Sequence, residues 1–150
     1  GGVVGDEPVL ERVIGGVPFA FVSYNAFYGG SAVEVATRIK DEHQKGRIVI
    51  VFAHWGEEYS TSTVALRERA ALFVQSGARL VVGAHPHVVL PSELIDGVPI
   101  YYSLGNFIFD QYWNSSVSSG LALEVSVDDG NLALKEHYVE ILRDGRSCVR

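Results

Sequence analysis

Apolar residues in this chain fall in short runs, and two of them, 48–53 and 80–82, are apolar at every position. Runs of this length, bounded by Gly or charged residues, read as strands buried on both faces. Between and around them the period changes. Ser31-Ala32-Val33-Glu34 fits a capping box, so a helix is expected from there to about Lys45, with Gly46 as its stop. Val33, Ala36 and Ile39 are spaced for its inner face, and Lys40, Asp41, Gln44 and Lys45 for its wet one. A second helix is expected over 63–76, capped from Ser60-Thr61-Ser62-Thr63, with Leu66, Ala70, Phe73 and Val74 inward and Gly77 ending it. With a strand at 17–24 before the first helix and one at 79–83 after the second, 17–83 alternates strand, helix, strand, helix, strand. That is the pattern of right-handed βαβ units and a parallel core.

The flanks read differently. Residues 9–13 and 17–24 form a hairpin at Gly15-Gly16. Downstream, 88–95 and 98–104 form another across Asp96-Gly97, a type I′ signal. Residues 111–119 are polar with two aromatics and read as a surface loop. Leu121, Leu123, Val125 and Val127 alternate with smaller or polar residues, the signature of a half-buried strand, and Asp128-Asp129-Gly130 turns it into a last strand over 132–142. The polar tail, 143–150, is expected to fray. The fold class is α/β, a mixed sheet with C-terminal antiparallel hairpins, and the length of 150 residues fits a single domain spanning 1–150.

Composition narrows the function. Hydrophobic residues make up 47%, which excludes a disordered chain. The net charge of −6 argues against a nucleic-acid partner, which would require a basic face. Cys148, the single cysteine, has no partner for an internal disulfide. No apolar run approaches the roughly 18 residues of a membrane span, and no signal peptide opens the chain. It begins Gly1-Gly2-Val3-Val4 without Met, so a leader or a longer segment is expected to be missing. There is no phosphate-binding Gly-rich loop, no Gly-x-Ser-x-Gly elbow and no Cys cluster, so serine and cysteine nucleophile chemistry has no support.

The chemistry-bearing residues gather at strand ends. His54 is the first residue out of the strand 48–53, and His85 and His87 follow the strand 79–83 in Gly83-Ala84-His85-Pro86-His87-Val88. In open α/β sheets this edge is where ligands bind, and neutral imidazole is the commonest metal ligand. Beyond the strand the backbone turns at Pro86, so both histidines of the pair can reach neighbouring ions. The competing reading is a hydrogen-bonded loop pair. Trp55 and Gly56 are expected to make a tight turn with an aromatic wall. Glu58 is open to three roles: ligand, orienter of a histidine N–H, or general acid/base. The plain alternative, favoured for Glu57, is an exposed acid before a helix. Asn106 and Asp110 follow another strand end; Asn106 either holds a substrate or ligand in place or bonds its own backbone in a turn. His43 and His137 read as structural. Asp6, in Gly5-Asp6, superficially resembles a metal-binding Gly-Asp but lacks a preceding strand and reads as loop.

Three stretches carry a family resemblance. Val51-Phe52-Ala53-His54-Trp55-Gly56-Glu57-Glu58-Tyr59, Gly83-Ala84-His85-Pro86-His87-Val88 and Tyr102-Ser103-Leu104-Gly105-Asn106-Phe107-Ile108-Phe109-Asp110 resemble, in order, the bacterial poly-γ-glutamate capsule biosynthesis protein family called CapA, which is similar in fold to calcineurin-like metallophosphoesterases. The resemblance implies a four-layer α/β/β/α sandwich with a binuclear metal centre of Mn, Fe or Zn between its sheets. It implies that His54, His85 and His87 are metal ligands, while Glu58, Asn106 and Asp110 match motif positions of less defined role. It implies a hydrolase or transferase acting on an anionic polymer or phosphoester at the cell surface, with capsule-synthesis membrane proteins as partners. A non-catalytic protein of capsule assembly or export, binding polymer or partner subunits, is the alternative. The family's early Gly-Asp and later Asn-His ligand segments have no counterpart here, so the chain reads as the C-terminal half of such a domain. From this follow weak or absent metal binding by the chain alone, and apolar surface that the missing half or a second copy would cover.

Overall fold

The computed structural model describes residues 9–28 and 31–150. Its elements run β1 (Val9–Ile14), β2 (Val17–Asn25), α1 (Ala32–Gln44), β3 (Ile48–His54), α2 (Val64–Gln75), β4 (Ala78–Ala84), β5 (Ser92–Ile95), β6 (Val98–Tyr101), β7 (Ser119–Asp128), β8 (Asn131–Ile141) and β9 (Ser147–Val149). Six strands form one mixed sheet in the order β1-β2-β3-β4-β6-β5, with β2, β3, β4 and β6 parallel and a hairpin strand at each edge. The other three form an antiparallel sheet, β7-β8-β9. The chain is thus mixed α/β. Asp6, Gly29 and Gly30 lie outside the described residues.

The period-2 rule divides the central strands cleanly. On β3, Val49, Val51 and Ala53 face one way and join Ala20, Val22, Ile39, Phe73, Val81 and Ile100 in a core beneath the two helices. Ile48 and Ile50 face the other way, where Phe19, Leu80, Val82 and Tyr101 meet Leu123, Leu132 and Leu134 of the second sheet. The described residues therefore build three layers: helices, mixed sheet and antiparallel sheet. No second helical layer covers the small sheet among the described residues.

The helices begin as their sequences dictate. Ser31 accepts from the Glu34 N–H, and Glu34 accepts from the Ser31 N–H, completing the capping box. On α1, however, Val33 is exposed and Val35 takes its place inside, next to Ala36 and Ile39. Glu42 is buried as well, its two oxygens occupied by Lys45 and Arg47 at 2.6 Å each. Burial pushes the Glu42 carboxyl up, but those two cations outweigh it and hold the group below its ordinary value. Helix α2 buries Leu66, Ala70, Phe73 and Val74 as expected, although Thr63 makes no side-chain cap bond.

Three further expectations are corrected. Trp55 is not an aromatic wall: it is fully buried in the helix-side core, with Nε1 donating to the Tyr102 carbonyl at 2.9 Å. The tail does not fray, because β9 pairs with the edge of β8. The 111–119 segment is the expected surface loop, anchored from within by buried Gln111 and Val117. The 88–104 hairpin is shorter than its pattern suggests. It keeps the turn at Asp96-Gly97, where both φ angles are positive, but pairing lapses at Pro91, which has no N–H to give.

Candidate metal centre

Parallel pairing in register lines up three strand ends. Asn25 pairs with His54, and His54 with Ala84. The chain leaving each strand therefore starts at the same level of the sheet: the segment after Asn25, the turn at 55–59 and the loop at 85–88. Backbone bonds tie them together, from Ala26 N–H to the His54 carbonyl at 2.9 Å, Trp55 N–H to Ala84 at 3.1 Å and Tyr59 N–H to Pro86 at 2.8 Å. A fourth strand end is drawn in by Leu104 N–H on the Gly83 carbonyl at 3.2 Å. Gly83 is required for this approach, since a Cβ there would lie 2.0 Å from the Tyr102 carbonyl oxygen.

This geometry brings the three histidines together. The rings of His54 and His85 are 4.7 Å apart, and those of His85 and His87 are 6.1 Å apart. His85 and His87 both have positive φ, 109° and 62°, conformations that non-glycine residues rarely adopt. This left-handed turn brings the pair to one side of the sheet, and such strain collects at functional positions. Glu58 joins them. One donor atom from each of Glu58, His85 and His87 lies within 4.8 Å of the other two, and Glu58 Oε1 is 3.9 Å from His87 Nε2. His54 adjoins His85 but is not itself one of this group. Its Nδ1 is buried and has no hydrogen-bond partner. A buried imidazole nitrogen left without a partner is uncommon unless something else fills its lone pair. Burial, and then the neighbouring His85 and His87, hold the His54 imidazole below its ordinary pKa, so it stays neutral and ligand-competent. The nitrogen-and-carboxylate donor set, with that orphaned nitrogen, fits a divalent first-row ion.

Aromatic rings flank the cluster. Phe27 lies 4.5 Å from His85 and 5.8 Å from His54, and Phe109 stacks on His87 at 4.8 Å. Tyr59 flanks His87 at 6.0 Å. Phe27 carries no sequence signal of its own, whereas Phe109 lies within the third motif stretch; both sit in loops whose paths are set by strand register. Below His54 a cavity of about 430 Å³ opens between the two sheets, lined by Phe52, Val82, Gly105, Phe107 and Leu121 among others.

Asn106 is buried, and its Oδ1 meets His87 Nδ1 at 2.8 Å. Its Nδ2 donates to the Val117 carbonyl at 2.8 Å and to Gln111 Oε1 at 3.4 Å, and Gln111 Nε2 donates to the Tyr59 hydroxyl at 2.8 Å. Gln111 and Tyr59 were not singled out from the sequence; a polar residue opening a Ser-rich stretch has nothing to mark it as buried. Glu57 lines a separate surface pocket with Ser60 and Arg69, and Asp110 is exposed. His137 pairs with Glu124 at 2.9 Å on the outer sheet, and His43 packs over Gly77, both away from the cluster.

A family model described as bacterial capsule synthesis protein PGA_cap matches residues 7–111. The chain is 42% identical over 84 residues to the PGA biosynthesis protein CapA of Bacillus subtilis (strain 168), covering 55% of this chain and 22% of that protein. It is 40% identical over 88 residues to the capsule biosynthesis protein CapA of Bacillus anthracis, covering 58% of this chain and 21% of that protein. The matched stretch thus spans about a fifth of the length of these relatives.

Proposed function

The chain belongs to the bacterial capsule synthesis protein PGA_cap family, and from that premise we propose that it forms the metal-binding part of a hydrolase or transferase acting on an anionic cell-surface polymer or phosphoester. Poly-γ-glutamate is the first substrate to test, given the name of the Bacillus subtilis relative. The observation that carries this reading is the convergence of His54, His85 and His87 with Glu58 at one sheet edge, with His54 Nδ1 buried and unpartnered. His54 and His85 hold one position, and His85, His87 and Glu58 the other. A bound Mn, Fe or Zn ion would supply Lewis-acid polarisation of a phosphoryl or acyl oxygen. The protein's own part is to keep the His54 imidazole neutral, to pack Phe27 and Phe109 against the histidine rings, and to offer the half-exposed Glu58 for proton transfer.

A two-ion centre needs more donors than these. We place them on a segment of the rest of the protein, or on a second copy, packed against the apolar inner face of the mixed sheet. Phe52 there is 49% exposed, and Phe21 is half-buried. Site and polymer would meet at the cell surface, alongside capsule-synthesis membrane proteins. No helix among the described residues is long and apolar enough to cross a membrane.

The test uses the whole protein loaded with Mn²⁺. Turnover of aryl phosphates or poly-γ-glutamate, abolished by His87→Ala, supports the reading. No turnover, with the variant indistinguishable from wild type, contradicts it. The uncovered apolar face favours one second reading: non-catalytic assembly or export, marked by equilibrium binding of polymer without any metal.

A further inference from the structure

We infer that Asn106 is a positioning residue that fixes which nitrogen of His87 is free, and that Gln111 and Tyr59 brace it. One atom beside Asn106 cannot change its role. The Val117 carbonyl can only accept a hydrogen bond. It lies 2.8 Å from one end of the Asn106 amide, so that end is the NH₂ and the other is the carbonyl oxygen. The oxygen faces His87 Nδ1 at 2.8 Å. Since it too can only accept, Nδ1 carries the proton. The neutral ring then presents a bare lone pair at Nε2, the nitrogen that faces Glu58.

The network continues outward from Asn106. The second hydrogen of the Asn106 NH₂ points at Gln111 and requires Oε1 there, which turns Gln111 Nε2 to the Tyr59 hydroxyl. Tyr59 closes the ring through its own backbone, whose N–H holds the Pro86 carbonyl one residue before His87. Three separate segments, those following β3, β4 and β6, are locked by this loop of bonds. Asn106 and Gln111 are both buried, so water cannot readily stand in for either. An imidazole with a free Nε2 is preset to bind a cation or accept a proton, and its partner at Nδ1 sets that choice.

This inference rests on the proposed role of His87 only where it concerns metal; the tautomer itself is a property of the metal-free chain. The experiment is ¹⁵N-resolved NMR of the histidine side chains of the metal-free protein, above the pH at which His87 is protonated. Wild type is expected to show His87 as the single Nδ1–H tautomer. Asn106→Asp, which keeps an acceptor towards the ring, retains it, whereas Asn106→Leu shifts the ring to a mixture or to Nε2–H. Wild-type His87 protonated on Nε2, or an unchanged tautomer in Asn106→Leu, overturns the inference, and the wild-type spectrum decides even if a variant fails to fold. Zn²⁺ titration adds a second readout, with affinity expected to fall by about 10–100-fold in Asn106→Leu. Equal affinity despite a shifted tautomer overturns the positioning role. A whole protein that binds no Zn²⁺ while its His87 shows the Nδ1–H tautomer sinks the metal reading and leaves this one standing.

Discussion

The two faces of the mixed sheet are made from the same strands and end in different states. On the helix side, Val49, Val51, Trp55 and Phe73 have no measurable exposure, and the packing is closed by two helices. On the opposite side, an apolar cavity of about 210 Å³ remains between the sheets, lined by Phe21, Ile50, Leu80, Val82 and Val125 among others, and Phe52 stands half in water. The histidine cluster sits where the faces part, at the strand ends above the looser one. The contrast separates a region built for stability from one left accessible for binding.

The largest effect should come from the closed face. Trp55→Ala removes a fully buried ring and its bond to the Tyr102 carbonyl, and is expected to cost about 3–5 kcal/mol in urea unfolding. If it cost less than 1 kcal/mol, the helix-side core would not be the stabilising half. Next comes the buried acid under α1. With its folded pKa below the ordinary 4.5, the ionised Glu42 stabilises the fold fully above that value, and the gain is lost as pH falls through the folded pKa. Glu42→Gln should cost about 1–3 kcal/mol at pH 7 and flatten the loss of stability between about pH 5 and 3. Urea melts of both proteins across that range check it. The smallest effect belongs to the open face. Phe52→Ser should change stability by less than about 1 kcal/mol while lowering apolar-dye binding and self-association. A loss as large as that of Trp55→Ala would erase the distinction between the faces.

Much of this organisation was legible in the sequence, for identifiable reasons. Continuous apolar runs can only be buried strands here, and parallel register then carries His54 and the His85–His87 pair to one edge. The capping box at Ser31 is a local chemical signal and reads correctly. What could not be read depends on partners distant in the chain. Val33 and Val35 are both near the apolar stripe of α1, and docking onto the sheet decides between them. Glu42 looks like a surface acid until Lys45 and Arg47 meet it. Trp55 follows a candidate ligand and looks like part of the site, yet its indole turns into the core to reach Tyr102. Gln111 gives no periodic signal, because a buried amide is specified by the single carbonyls and hydroxyls it finds.

His85 is shared by both groupings of the cluster, within 4.7 Å of the His54 ring and among the donors that include His87 and Glu58. Calorimetric titration of Zn²⁺ into the whole wild-type protein and its His85→Ala variant at pH 7.5 therefore tests the proposed metal centre most directly. The whole wild-type protein is expected to bind, with weak or absent binding by the present chain alone, and the variant to lose about tenfold or more, on the order expected for deleting a ligand or its support. Equal binding by the two proteins, or none by wild type, would contradict it.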